Sequence, residues 1–326
     1  MNFLLTDSNI LRLYPLLADR LRTEAGDAYL IVVEPGEAHK SLESAQMIWQ
    51  TLCEKGATRS SHLICLGGGM VSDLGGFAAA CFKRGIPHRN VATTLLAAVD
   101  AAIGGKTAIN FHGLKNEIGA FKMPERVEAA VETFATLPDI EILSGWGEAV
   151  KTALIADEEM TRRMLAEEPL EIPAARLSEY VDFCRRTKEQ IVAADPTENG
   201  LRRVLNLGHT AGHAFESLLL ELGRPTAHGV AVSHGLLTSL ILSHLHAGLD
   251  KTWVSFYRTW LRDNYPSLRL NCGNIPRLME LARHDKKNDG SAGLLSCVLL
   301  QAPGVPIERV EIPEPLFAEA LELTLC

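Results

Sequence analysis

The stretch LNLGHTAGHAFE, Leu205–Glu216, puts His209 and His213 four positions apart. On a helix that spacing stacks two imidazoles on one face, where both can reach one divalent cation if a third side chain supplies another ligand. Three readings are open: two ligands, a ligand beside a general base, or histidines that merely hydrogen-bond their surroundings. Glu148, in the helix WGEAVKTALI, and His228, which follows Pro225 and opens a further helix, can complete a set of one carboxylate and two or three imidazoles. Drawn from separate helices, such a set suits zinc with one coordination position left open for substrate. If 201–222 forms one helix, Arg202, Asn206, His209 and His213 make a single polar stripe. Its apolar flanks, Leu205, Leu207, Ala211 and Phe215, turn that stripe toward an internal cavity rather than water. Lys151, one turn after Glu148, and Lys188, on a helix leading to Asp195, add fixed cations.

A second constellation is CLGGGMVSDLGGF, Cys65–Phe77, with three glycines directly after an apolar run and Asp73 near the start of the next helix. Glycine removes the Cβ that would keep a pyrophosphate away from backbone N–H groups and a helix N-terminus. The turn does not match GxGxxG, and a tight strand-to-helix turn without a ligand is the competing reading. In DAAIGGKTAIN, Lys106 follows Gly104–Gly105 without the full GxxxxGK[ST] spacing, which makes a nucleoside triphosphatase a poor fit.

The elements that must position these residues change character along the chain. Phe3–Thr6, Tyr29–Val33, His62–Leu66 and Asn90–Thr93 read as buried strands, with helical spacing over Asn9–Ala25, Leu42–Lys55 and Ser72–Lys83. That alternation predicts an α/β layer with a mainly parallel sheet over 1–137. From Pro138 and Asp139 onward the pattern is helical, over Ser178–Ala194, Leu201–Leu222 and Val230–His246, so 138–326 is expected to be mostly α, with a late strand at Leu294–Leu300. A net charge of −8 disfavours a general nucleic-acid surface, so an anionic ligand must be gripped locally. With no apolar run of about 18 residues and no leader-like N-terminus, neither a membrane span nor export is expected, and the chain reads as cytoplasmic. Seven scattered cysteines without CxxC spacing read as reduced, mostly buried thiols.

From TDSN to DKK the sequence resembles the 3-dehydroquinate synthase family, within the sugar phosphate cyclases. The likeness rests on PGEAHK, GGGMVSDLGGF, TTLLAAVDAAIGGKTAIN, KNEIGAF, GEAVKTALI, the stretch from Lys188 through GLRRVLNLGHTAGH, then AHG and DKK. It implies an α/β N-terminal NAD-binding domain, a helical C-terminal metal-binding domain and a homodimer. The expected substrate is a small sugar acid phosphate, 3-deoxy-D-arabino-heptulosonate 7-phosphate, with no nucleic-acid or membrane partner. It further implies transient oxidation by NAD, phosphate elimination, re-reduction and an intramolecular aldol closure to 3-dehydroquinate.

Carried over position by position, the resemblance makes Glu148, His209 and His228 ligands of Zn2+, or of Co2+, and His213 a proton acceptor. Glu198 also takes a proton-acceptor role. Asp100, Lys106, Asn116, Lys151, Lys188, Arg202, Asn206 and Lys286, from the Lys286–Lys287 pair, are expected to hold substrate, with Arg84 reaching a neighbouring subunit's site. NAD falls to Asp7, Glu37, Lys40, Gly68, Gly69, Asp73, Thr93, Thr94, Lys115 and Thr136. The chain departs from the family's usual residues at Ala211, Thr152 and Val230, and carries Ser144 where an asparagine near the cofactor is common. A related cyclase, a metal-dependent alcohol or polyol dehydrogenase, and a non-catalytic binder are the competing classes.

Overall fold

The structure, a computed structural model, describes residues 1–283 and 293–325, so the expectation for Lys286 lies outside the described residues. The chain packs as two compact units, Met1–Leu137 and Pro138–Cys326.

The first unit runs β1 (Asn2–Asp7), α1 (Ser8–Leu13), α2 (Pro15–Glu24), β2 (Tyr29–Val33), α3 (Leu42–Glu54), β3 (His62–Gly67), α4 (Gly69–Cys81), β4 (His88–Ala92), β5 (Lys106–Phe111), β6 (Leu114–Phe121) and β7 (Val127–Ala129). Five strands form a parallel sheet in the order β2-β1-β3-β4-β7. Side chains alternate across it with the strand period of two. Phe3, Leu5, Leu63 and Cys65 pack with Ile48 and Leu52 of α3 and Leu74 and Phe77 of α4. Leu4, Ile64 and Leu66 pack with Ile10, Leu17 and Leu21 of α1 and α2. Helices on both faces explain why the strands read as unbroken apolar runs. The strand order reverses between β1 and β3, and in sheets of this kind ligands bind where the strand ends diverge at such a switch. Gly75 lets α4 lie close to the sheet there, since a Cβ would overlap Cys65 Sγ and Leu5 Cδ2.

The second unit comprises α5 (Asp139–Ala156), α6 (Glu158–Leu165), α7 (Ala174–Ala194), α8 (His209–Glu221), α9 (His228–Leu242), α10 (Lys251–Asn264), α11 (Ile275–Arg283), an antiparallel pair β8 (Leu294–Ala302) and β9 (Val305–Pro313), and α12 (Glu314–Leu325). α9 is its central helix: every residue but His228 and His234 is buried, against α5, α8, α10 and α12. Continued through a π turn, His228–Ala247 is long and apolar enough to cross a membrane by composition, but 72% of that window is buried inside the fold. Packing inside this unit accounts for its apolar character.

Three sequence expectations need correction. Asn9–Ala25 is two helices, because Pro15 has no N–H to continue α1 and instead starts α2. Leu201–Leu222 is also two elements, a 3-10 segment at Leu201–Asn206 and then α8. Gly208 breaks the run at φ +80, and a Cβ there would lie 2.9 Å from Leu236 N, so Arg202 and Asn206 share no helical stripe with the histidines. Finally, Cys272 is disulfide-bonded, whereas Cys53, Cys65, Cys81, Cys184 and Cys297 are in the thiol form. Spacing gives no sign of that bond, because pairing depends on which segments the fold brings together.

Candidate functional site

In the second unit four side chains from three helices converge. Glu148 lies midway along α5, His209 and His213 lie on the first two turns of α8, and His228 is the first residue of α9. One nitrogen from each histidine lies within 4.8 Å of one from each of the others. Glu148 Oε1 is 3.8 Å from His209 Nε2 and 3.6 Å from His228 Nε2. The expected ligands therefore meet, and His213 stands beside them on the same helix face.

Outer contacts prepare this cluster for a cation. His209 Nδ1 donates to the Leu207 carbonyl at 3.1 Å, and His228 Nδ1 donates to Glu216 Oε2 at 2.9 Å. A proton fixed on Nδ1 leaves the Nε2 lone pair facing Glu148, the tautomer a metal requires. Glu148 is completely buried and ion-pairs with Lys151, yet among the described residues neither carboxylate oxygen accepts a well-directed hydrogen bond. A buried carboxylate aimed at two imidazole lone pairs is a costly arrangement unless a cation joins them. The donor set, one oxygen and up to three nitrogens, matches zinc or cobalt. Ser144 Oγ accepts the Gly229 N–H at 3.0 Å, capping the start of α9 and steadying His228.

A polar loop adjoins α8 in sequence. Asp195 accepts N–H groups from Asn199 (3.0 Å), Gly200 (2.8 Å) and Arg202 (3.1 Å). Those backbone bonds, that of Gly200 foremost, hold its carboxyl below the ordinary aspartate value. The loop presents Glu198 at φ +63, where Oε1 accepts from Asn206 Nδ2 at 2.9 Å. Arg202 is fully buried and donates to the Pro196 carbonyl at 2.8 Å. Lys188 is buried on α7, which packs against the Leu201–Asn206 segment.

The first unit gathers a different set. Lys40, buried, donates to Asp73 Oδ2 and to Asn116 Oδ1, each at 2.5 Å, with Glu37 Oε1 at 3.7 Å. Asn110 ties this group together: its amide donates to Glu37 Oε1 at 2.9 Å, its Oδ1 accepts the Asn116 N–H, and its own N–H donates to the Lys40 carbonyl. At the end of β3, Gly68 caps α4 without a side-chain hydrogen bond to the helix N–H groups. Beside it, Thr93 Oγ1 is buried with no partner among the described residues, and Thr94 Oγ1 accepts the Ala97 N–H. An uncapped helix start at Gly68–Gly69 beside an unsatisfied buried hydroxyl fits the pyrophosphate of a dinucleotide.

Other expected positions are occupied differently. Asp7 Oδ1 caps α1 by accepting from Asn9 and Ile10, while burial, outweighing those bonds, raises its carboxyl pKa. Thr136 Oγ1 pairs with the Tyr14 hydroxyl at 2.9 Å. Asp100 is half-buried in a π turn, and Arg84, Lys106 and Lys115 are exposed. Two organising residues escaped the sequence reading, Asn110 and Glu216. Glu216 was within reach, since it follows His213 by three and His209 by seven on the same helix face.

Residues 30–144 match the 3-dehydroquinate synthase N-terminal family and residues 145–288 the C-terminal one. The 3-dehydroquinate synthase of Parabacteroides distasonis is 42% identical over 303 residues, 93% of this chain and 85% of that protein. The chain belongs to the 3-dehydroquinate synthase family. Solved structures with this family's fold include a 2-deoxy-scyllo-inosose synthase complexed with carbaglucose-6-phosphate, NAD+ and Co2+, at TM-score 0.85 and 24% identity, covering 99% of this chain and 90% of that one. A 2-epi-5-epi-valiolone synthase from Streptomyces hygroscopicus subsp. jinggangensis, with NAD+ and Zn2+ bound, has TM-score 0.81 at 21% identity, covering 99% and 90%. Membership in the 3-dehydroquinate synthase family thus extends through both units, including the segments that carry Gly68, Glu148, His209 and His228.

Proposed function

We propose that the chain is a 3-dehydroquinate synthase, a carbon–oxygen lyase acting on 3-deoxy-D-arabino-heptulosonate 7-phosphate with NAD and Zn2+ or Co2+. The observation that carries this reading is the convergence of Glu148, His209, His213 and His228 on one point, in a chain of this family. Glu148, His209 and His228 would hold the metal, which supplies Lewis acidity toward a substrate oxygen. Asp7, Glu37, Lys40, Gly68, Gly69, Asp73, Thr93, Thr94, Lys115 and Thr136 would hold NAD, which supplies reversible hydride acceptance.

The remaining chemistry belongs to the chain's own side chains. His213, beside the ligands but outside the proposed set, takes a proton from substrate, and Glu198, held by Asn206, serves as a second acceptor. Lys151, Lys188 and Arg202 are buried cations, suited to grip a phosphate and a carboxylate that carry no proton at neutral pH. Because they are fixed before substrate arrives, they stabilise charge on the departing phosphate without rearranging. Asp100, Lys106, Asn116 and Asn206 orient the remaining polar groups, and Lys286 adds a further cation. Arg84 acts in a neighbouring subunit, so the working form is a homodimer, in the cytoplasm.

The reading is tested by offering purified protein, with NAD and Zn2+, the seven-carbon acid phosphate and a hexose 6-phosphate in parallel. Phosphate and a carbocyclic keto acid are expected from the first alone. Turnover of the hexose phosphate in its place would assign the chain to a different cyclase.

A further inference from the structure

The two outer contacts of the histidine cluster differ in kind. His209 is oriented by a backbone carbonyl, whereas His228 is oriented by a side chain, the Glu216 carboxylate at 2.9 Å. The His228 ring therefore lies between two carboxylates, Glu216 at Nδ1 and Glu148 Oε1 3.6 Å from Nε2. Glu216 is largely enclosed, its side chain 19% exposed. It stands on α8, one turn past His213 and two past His209, and reaches across to the first residue of the adjoining α9.

That position matters because Ser144 steadies the backbone at the start of α9 through the Gly229 N–H, whereas the direction of the His228 ring is set by the Glu216 carboxylate at Nδ1. We infer that Glu216 is a positioning residue for the metal site: it locks the His228 tautomer and ring direction, ties together the two helices that carry the imidazoles, and thereby sets metal affinity. The inference rests on the metal reading above and deepens it. A carboxylate accepting from a ligand imidazole makes the opposite nitrogen a stronger donor, and loss of such a partner weakens metal binding roughly 10- to 100-fold.

The test uses the full-length protein stripped of metal, with Zn2+ affinity measured by competition with a chromogenic chelator and Co2+ binding followed by its visible d–d absorption. Glu216→Ala is expected to bind Zn2+ at least ~10-fold more weakly and to shift the Co2+ bands, because His228 is then free to rotate. Glu216→Gln keeps the size and an oxygen acceptor, and is expected to restore the Co2+ bands and part of the affinity, which loss of packing alone would not produce. Should Glu216→Ala fail to fold, Glu216→Gln and Glu216→Asp carry the comparison through their Zn2+ affinities. Wild-type protein that takes up neither ion overturns the metal reading itself. Wild-type uptake with unchanged affinity and bands in the foldable variants overturns the role of Glu216 alone.

Discussion

Single residues in this protein combine conformational cost with chemical purpose. Arg84, Asn116 and Glu198, each proposed to act on substrate, are three of the non-glycine residues held at positive φ, at +66, +54 and +63. Such backbone persists only where the surroundings enforce it, as Asp195 does around Glu198. His88 shows a different cost: it is buried between α4 and β5, and neither ring nitrogen has a partner among the described residues. Burial, helped by the nearby Lys122 charge, pushes its pKa from 6.5 down to about 4. The unfolded chain takes up this proton below about pH 6.5, while the fold resists it until about pH 4, so stability is intact above that range and falls through it. The full loss is roughly 3 kcal/mol. Urea unfolding at pH 7 and pH 5 should show a smaller fall in midpoint for His88→Leu than for wild type, and equal falls would remove His88 as the cause.

Elements were legible in the sequence to the extent that burial wrote a period into them. β2 and the start of α3 fall where expected, because both present an unbroken or periodic apolar face. β6 escaped notice because it is exposed along most of its length, leaving no alternation to read, whereas β5 does alternate and its period was passed over beside the Gly104–Gly105 turn. β4 begins at His88 rather than Asn90, since its first residues are polar yet inside. The larger miss was the break before α8. A helical pattern of apolar residues continues across 201–222, but Gly208 turns the chain at φ +80 so that α8 starts at His209. Gly208→Ala should cost about 1–3 kcal/mol, from strained backbone and from crowding Leu236. Thermal unfolding measures that loss, and a variant as stable as wild type would show that the turn tolerates a side chain.

At the level of the whole molecule, alternating apolar runs and helices announced the parallel sheet of the first unit, and the helical texture announced the second. The His209–His213 spacing pointed to a metal centre and the resemblance named Glu148 and His228 with it, and the fold brings these two there from α5 and α9. Glu216 shares the face of His209 and His213, seven and three positions on, but its partner His228 comes from another helix, so its role shows only once α8 and α9 are packed together. Nor does net charge describe the site: a chain at −8 buries Lys151, Lys188 and Arg202, so the field a substrate meets is local. In the proposed reaction NAD would regain its oxidised form within each catalytic cycle, so it would act in catalytic amount. The direct test is to supply purified, Zn2+-loaded protein with the heptulosonate phosphate and NAD far below substrate concentration, and to follow phosphate release and NADH absorbance together. Phosphate should far exceed the NAD supplied, with no accumulation of NADH. One NADH per product, ceasing when NAD is exhausted, would make the protein a dehydrogenase and contradict the account.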